Sequence, residues 1–157
     1  MSLYEWLLGL HITGAFLLVG GIVVTAVFNV FAGRTERPSD VALFLRLQMI
    51  GVVGIGVGAL TTLVIGLWLV HEVGYGYGEF WVWGAVVLWV VAMAAGNIGG
   101  RSQAAAAQLA SRLAAEGDAP SAELRAAVRD RRANLLFVLS GSATLLVLVL
   151  MIWKPGA

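Results

Sequence analysis

The stretch 6–33, WLLGLHITGAFLLVGGIVVTAVFNVFAG, lies between Glu5 and Arg34 and holds no charged residue. About 20 apolar residues at roughly 1.5 Å each cross the hydrocarbon core of a bilayer, so this run spans it with length to spare. As a helix it places His11, Gly14, Leu18, Thr25 and Asn29 on one side, since 18 residues make about five turns at roughly 3.6 residues each. In lipid such a small and polar stripe is expected to face protein, because a polar side chain turned toward acyl chains is costly.

Three more uncharged runs follow, at 47–70, 80–100 and 133–153, and each meets the spanning length. Lipid offers no water to unpaired backbone groups, so all four runs are expected to be helices. Of the 157 residues, 60% are hydrophobic and 12% charged, against about 25% charged in a soluble domain. The chain is read as a single all-α domain, residues 1–157. It is a four-transmembrane-helix bundle with spans at about 4–32, 47–71, 80–100 and 133–153. The start of the chain lacks a basic n-region and its apolar run is too long for a signal peptide, so the first helix is expected to remain as an anchor.

Basic residues set the orientation. Arg34, Arg37 and Arg46 sit between the first two spans, and Arg101, Arg112, Arg125, Arg129, Arg131 and Arg132 between the last two. Only Lys154 lies on the other side. Both termini are therefore expected outside and both basic links in the cytoplasm, in a cytoplasmic (inner) membrane. Tyr4, Trp6, Trp68, Tyr75, Tyr77, Trp81 and Trp83 then form an outer aromatic belt, as amphipathic rings do at headgroup level.

Small seams recur on the later spans: Gly51, Gly54, Gly58, Thr62 and Ile65; Ala85, Ala92, Ala95 and Gly99; Asn134, Gly141, Thr144 and Leu148. Such residues let helix backbones approach closely where lipid provides no hydrophobic drive, which points to a compact bundle. The link 101–132 reads as helical. Helix three is expected to continue past Gly100 on good helix formers, with Gly117 as its stop. Asp118 is the expected N-cap of the next segment, with Pro120 in its first turn. A helix over 121–132 then leads into the last span, its charges solvated and its final arginines at the headgroups.

The net charge of +1 gives no case for nucleic acid, and the absence of cysteine excludes disulfides, thiolate metal sites, iron–sulfur clusters and covalently attached haem. No nucleotide loop, serine triad or zinc spacing is present. Apart from Glu5 at the edge of the first, no span holds Asp, Glu, Lys or Arg, which argues against an ion-coupled pump. The run Gly74-Tyr75-Gly76-Tyr77-Gly78 lacks the Thr-Val that precedes Gly-Tyr-Gly in a potassium filter. The methionines are scattered over all depths and form no copper ladder.

His11 is the main site candidate, because a titratable group inside a span must have its burial compensated. Three readings stay open: a ligand to haem iron or copper, a relay for a proton or solute, or a structural histidine bonded to a neighbouring helix. Gly14, one turn away, would leave room for a flat macrocycle. His71 is the only other histidine; it could pair with His11 on a haem only if helix two turned its other face inward or unwound at its end. Asn29, Asn97 and Asn134, at a similar level near the basic side, are expected to tie helix ends together.

The pattern from Tyr4 through Trp6-Leu7-Leu8, Leu10-His11-Ile12 and Gly14-Ala15-Phe16-Leu17-Leu18 to Gly20-Gly21 resembles the first helix of a bacterial family of four-span predicted integral membrane proteins of unknown function. Thr61-Thr62-Leu63-Val64-Ile65-Gly66-Leu67-Trp68 looks like that family's second helix. The family is similar in pattern to the copper-resistance-D membrane domain and to the HemJ-type protoporphyrinogen oxidase. The resemblance implies that His11 matches the position where the oxidases hold haem b. It does not supply the basic residue those oxidases keep in a later span, nor the sulfur ligands of copper transport.

Two functions are thus in view. One is a bundle binding haem b, with copper second, through His11, with Gly14 and His71 nearby, and handling electrons or metal. The other is a non-enzymatic accessory subunit or an oligomeric small-solute permease. No catalytic residue is assigned. The expected partners are the lipid bilayer and either further copies of the chain or a larger membrane complex.

Overall fold

A computed structural model describes residues 2–155. The described chain is all helical: α1 (Leu3–Arg34), α2 (Pro38–Val73), α3 (Phe80–Ala115), α4 (Ala122–Val128) and α5 (Arg131–Trp153). Four helices, α1, α2, α3 and the one ending at Trp153, are long and apolar enough to cross a membrane. At 36 residues each, α2 and α3 are about 54 Å long, well beyond a hydrocarbon core of about 30 Å. Both therefore project past the apolar layer at the end that carries the arginines.

Residues 38–46, expected as part of a link, belong to α2. Pro38 begins that helix at a position where its missing N–H leaves nothing unsatisfied, and Asp40 lies in the same first turn. At the far end Gly74 takes the left-handed conformation with φ +83°. Its N–H donates to the His71 carbonyl, and the Tyr75 N–H donates to that of Val70, closing α2 as glycine caps do. At the start of α1, Ser2 and Glu5 form a reciprocal capping box.

Small residues bring α1 and α2 together. A Cβ at Gly58 would meet the backbone of Leu18 and, at 2.6 Å, the Gly14 carbonyl oxygen. One at Gly51 would reach Thr25 Oγ1 at 2.5 Å, and one at Gly21 the Ile55 nitrogen at 2.7 Å. The expected stripe does face protein: Gly14, Leu18 and Thr25 are buried, and Gly21 joins them. On α3 the predicted seam holds as well, with Ala85, Ala92, Ala95 and Gly99 buried. On α5 the contact face differs in part from the expected one. Of the expected seam Thr144 is buried and Leu148 lines an apolar cavity, but Asn134 is exposed and nothing faces Gly141. Ala133 and Ala143 are buried in their place. The Ser140 hydroxyl donates to the Ala92 carbonyl at 2.8 Å, fixing α5 on α3.

The bundle is two helix pairs joined along one seam. α1 packs on α2, α3 packs on α5, and α2 meets α3, while α1 and α5 barely touch. Trp89 Nε1 donates to the Ala59 carbonyl at 3.2 Å across the α2–α3 seam. Nearer the arginine-bearing end, Gln48 Nε2 donates to Gln103 Oε1 on the same seam. The expected asparagine ties are absent there, since Asn97 and Asn134 are both exposed.

Beyond the apolar layer α1, α2, α3 and α4 share a small second core of Ala32, Val41, Leu45, Ala106, Ala110 and Leu124. Helix three continues to Ala115 as expected, and Gly117 stops it at φ +126°. Asp118 has a different role from the predicted one. Ser121 caps α4, and the Asp118 carboxylate reaches back to α2. There it accepts from the Ser39 N–H at 2.7 Å and the Ser39 hydroxyl at 2.8 Å. The helix expected over 121–132 is broken: α4 ends at Val128 and Asp130 caps α5. Not all of its charges are merely solvated. Arg125 pairs with Glu36 at 2.9 Å, and the Arg129 guanidinium donates to the Gly33 carbonyl at 2.9 Å.

Candidate intramembrane binding site

Because α1 and α5 do not close on each other, an apolar cavity of about 340 Å³ remains between the two helix pairs. It lies toward the end that carries the α2–α3 loop and Trp153. All four long helices contribute walls, among them Ile12 and Phe16 from α1, Thr62 and Gly66 from α2, Trp81 and Trp89 from α3, and Thr144 and Met151 from α5. None of its lining residues is Asp, Glu, Lys or Arg.

His11 lies on this wall. Its ring packs closely against α2 because position 66 is glycine. A Cβ there would stand 2.8 Å from Cε1 and 3.2 Å from Nδ1, so any other residue would push the imidazole aside. Nδ1 is enclosed and lacks a well-formed hydrogen bond, with the Thr62 backbone beside the ring, so Nε2 is the nitrogen available to a further partner. Other polar groups on the wall are already engaged. The Thr62 hydroxyl donates to the Gly58 carbonyl at 2.8 Å, that of Thr144 to the Ser140 carbonyl at 3.0 Å, and Trp89 Nε1 to Ala59. Free polar capacity is concentrated on His11 and on Trp81, whose Nε1 also lacks a partner.

Trp81 leaves the aromatic belt in which it was expected and is only 3% exposed. Tyr75 meets its ring edge-on at 5.4 Å, and Lys154 Nζ lies 5.7 Å from its centroid and 5.0 Å from that of Tyr75. The cation thus sits over two aromatic rings, of which Trp81 lines the loop end of the cavity. Tyr4, Trp6, Trp68, Tyr77 and Trp83 are exposed, as belt residues are.

Residues 5–155 match the family described as "Predicted integral membrane protein (DUF2269)". The chain belongs to that family. No curated protein and no solved structure matches it, so the likeness to copper-resistance-D and HemJ-type membrane domains gains no support.

In this family member the three residues singled out from the sequence are not brought together. His11 lines the cavity, but Gly14 does not. The space facing Gly14 is filled by Thr61 and Thr62, at 3.0 and 3.2 Å from where a Cβ would stand. It admits the neighbouring helix and leaves no slot for a macrocycle. His71 is exposed at the end of α2 and lies outside the cavity. Among the described residues no three His, Cys, Asp or Glu side chains converge as a metal site. Trp81, Thr62 and Gly66 were not anticipated as site residues. For Trp81 the signal was present, a second tryptophan two positions from Trp83 and therefore on another face of the helix.

Proposed function

We propose that this family member is an intramembrane binding protein whose cavity holds one apolar small molecule, anchored at a single polar point by His11. The supporting observation is the open imidazole nitrogen in a wall whose other polar groups, Trp81 aside, are engaged. In this apolar wall a ligand hydrogen bond to Nε2 would contribute roughly 0.5–1.5 kcal/mol and fix the molecule's orientation. Shape and apolar contact supply the remaining affinity, as in ligand sites generally. No reaction chemistry is assigned to the site.

The open Nε2 also motivates a second reading, in which His11 ligates haem b or, with less support, copper. A neutral imidazole is an ordinary axial ligand. The filled space at Gly14 and the exposed position of His71 outside the cavity count against it.

Purification in mild detergent, organic extraction and a visible spectrum separate these readings. The expected result is an apolar, colourless molecule in the wild-type extract that is depleted in His11→Leu, with the variant folded by circular dichroism. Equal amounts from both proteins would contradict a His11 anchor. A Soret band lost in the variant would favour haem instead.

A further inference from the structure

The cavity has a side door. Three of its lining residues are themselves widely exposed: Ile12 at 46%, Phe16 at 75% and Ile152 at 76%. Ile12 and Phe16 stand on α1 and Ile152 on α5, the two long helices that bound the cavity while barely meeting. The other walls are closed by α1–α2, α2–α3 and α3–α5 packing, and Trp81, held by Tyr75 and Lys154, lines the loop end. Apolar side chains exposed along a span face acyl chains, so this mouth opens into lipid.

The chemistry of the walls limits what can pass. A charged head group brought inside would meet no Asp, Glu, Lys or Arg among the lining residues, with His11 its one titratable neighbour, and an uncompensated buried charge is strongly unfavourable. A head with no polar atom would leave His11 unanswered. From these features we infer that the site admits a neutral amphiphile from the bilayer, sideways between α1 and α5. Its uncharged hydroxyl or carbonyl head bonds to His11, and its apolar chain trails through the Ile12–Phe16–Ile152 mouth. This inference rests on the binding role proposed above and adds the route and the class of ligand.

The chain contains no cysteine, so two introduced thiols can clamp the door without side reactions. The paired variant Ile12→Cys with Ile152→Cys is placed in phosphatidylcholine vesicles and joined by a cleavable bifunctional maleimide. A long-chain alcohol with a photoreactive diazirine in its tail is then added and irradiated. The expected result is labelling of cavity-wall peptides from α1 and α5 in the unclamped protein. That labelling is lost on clamping and restored when the reagent is cleaved, while single-cysteine controls are unaffected. Undiminished labelling after clamping would overturn the side door while leaving the binding role intact. Equally strong labelling by a photoreactive phosphatidylcholine would overturn the neutral-head requirement, and failure to label the cavity at all would overturn the binding role itself.

Discussion

Gly56 and Gly58 stand two positions apart on α2 and have opposite surroundings. Nothing lies within 4 Å of a Cβ at Gly56, whereas one at Gly58 collides with the backbone of α1. Backbone cannot move aside as a side-chain tip can, so Gly58→Ala must separate the two helices. Overpacking of this kind typically costs about 1–3 kcal/mol, while Gly56→Ala should be neutral or slightly stabilising through helix propensity. Thermal unfolding in detergent micelles should show a lowered midpoint for the first and none for the second; equal midpoints would mean that α1 and α2 do not pack through this seam. His11 obeys the same steric logic. Gly66→Ala places a methyl group against the imidazole, and it should reduce the amount of extracted ligand while His71→Ala leaves it unchanged. The sequence showed a small residue beside a histidine at Gly14, but not which neighbour fills the space. Gly66, on another helix, is the glycine that seats the ring.

At the level of elements, the link before α5 clasps the ends of two long helices with charges that suit their dipoles. An acidic group, Asp118, sits at the N-terminus of α2, and a basic one, Arg129, at the C-terminus of α1, each favourable there. Hydrogen bonds from the Ser39 N–H and hydroxyl, helped by nearby Arg37, hold the Asp118 carboxyl below the ordinary aspartate range. A depressed carboxyl stabilises the fold above its unfolded pKa, and that stability is lost as pH falls from there through the lower folded value. Unfolding midpoints followed from neutral into acid pH should therefore fall more steeply for the wild type than for Asp118→Asn. The variant should start lower at neutral pH, and superimposed curves would rule out the clasp. The existence of helix in this link was legible from its alanine-rich composition. Its break at residues 129–130 and the reach of Asp118 to Ser39 were not, because the partners are 79 positions apart and no local pattern announces such a contact.

Across the whole molecule the four spans were legible because long uncharged runs leave backbone in lipid no alternative to helix. The cavity was not legible, since it arises from what α1 and α5 fail to do. Small seams on every span pointed to a compact bundle, yet on α5 the glycine at 141 faces open space, and Ala133, Ala143 and Ser140 join the expected Thr144 in the contact. The positive-inside rule predicts that the arginine-bearing links lie in the cytoplasm. With cysteines introduced one at a time in intact cells, a membrane-impermeant maleimide should then label Gly76→Cys and spare Ala119→Cys; the reverse pattern would invert the topology. The most direct test of the binding role uses the two histidines as separate reporters, one lining the cavity and one exposed. With the protein ¹⁵N-labelled at histidine in lipid nanodiscs, stripping the bound molecule and restoring it should move the His11 Nε2 resonance reversibly while that of His71 stays fixed. A His11 resonance that does not respond would contradict the account.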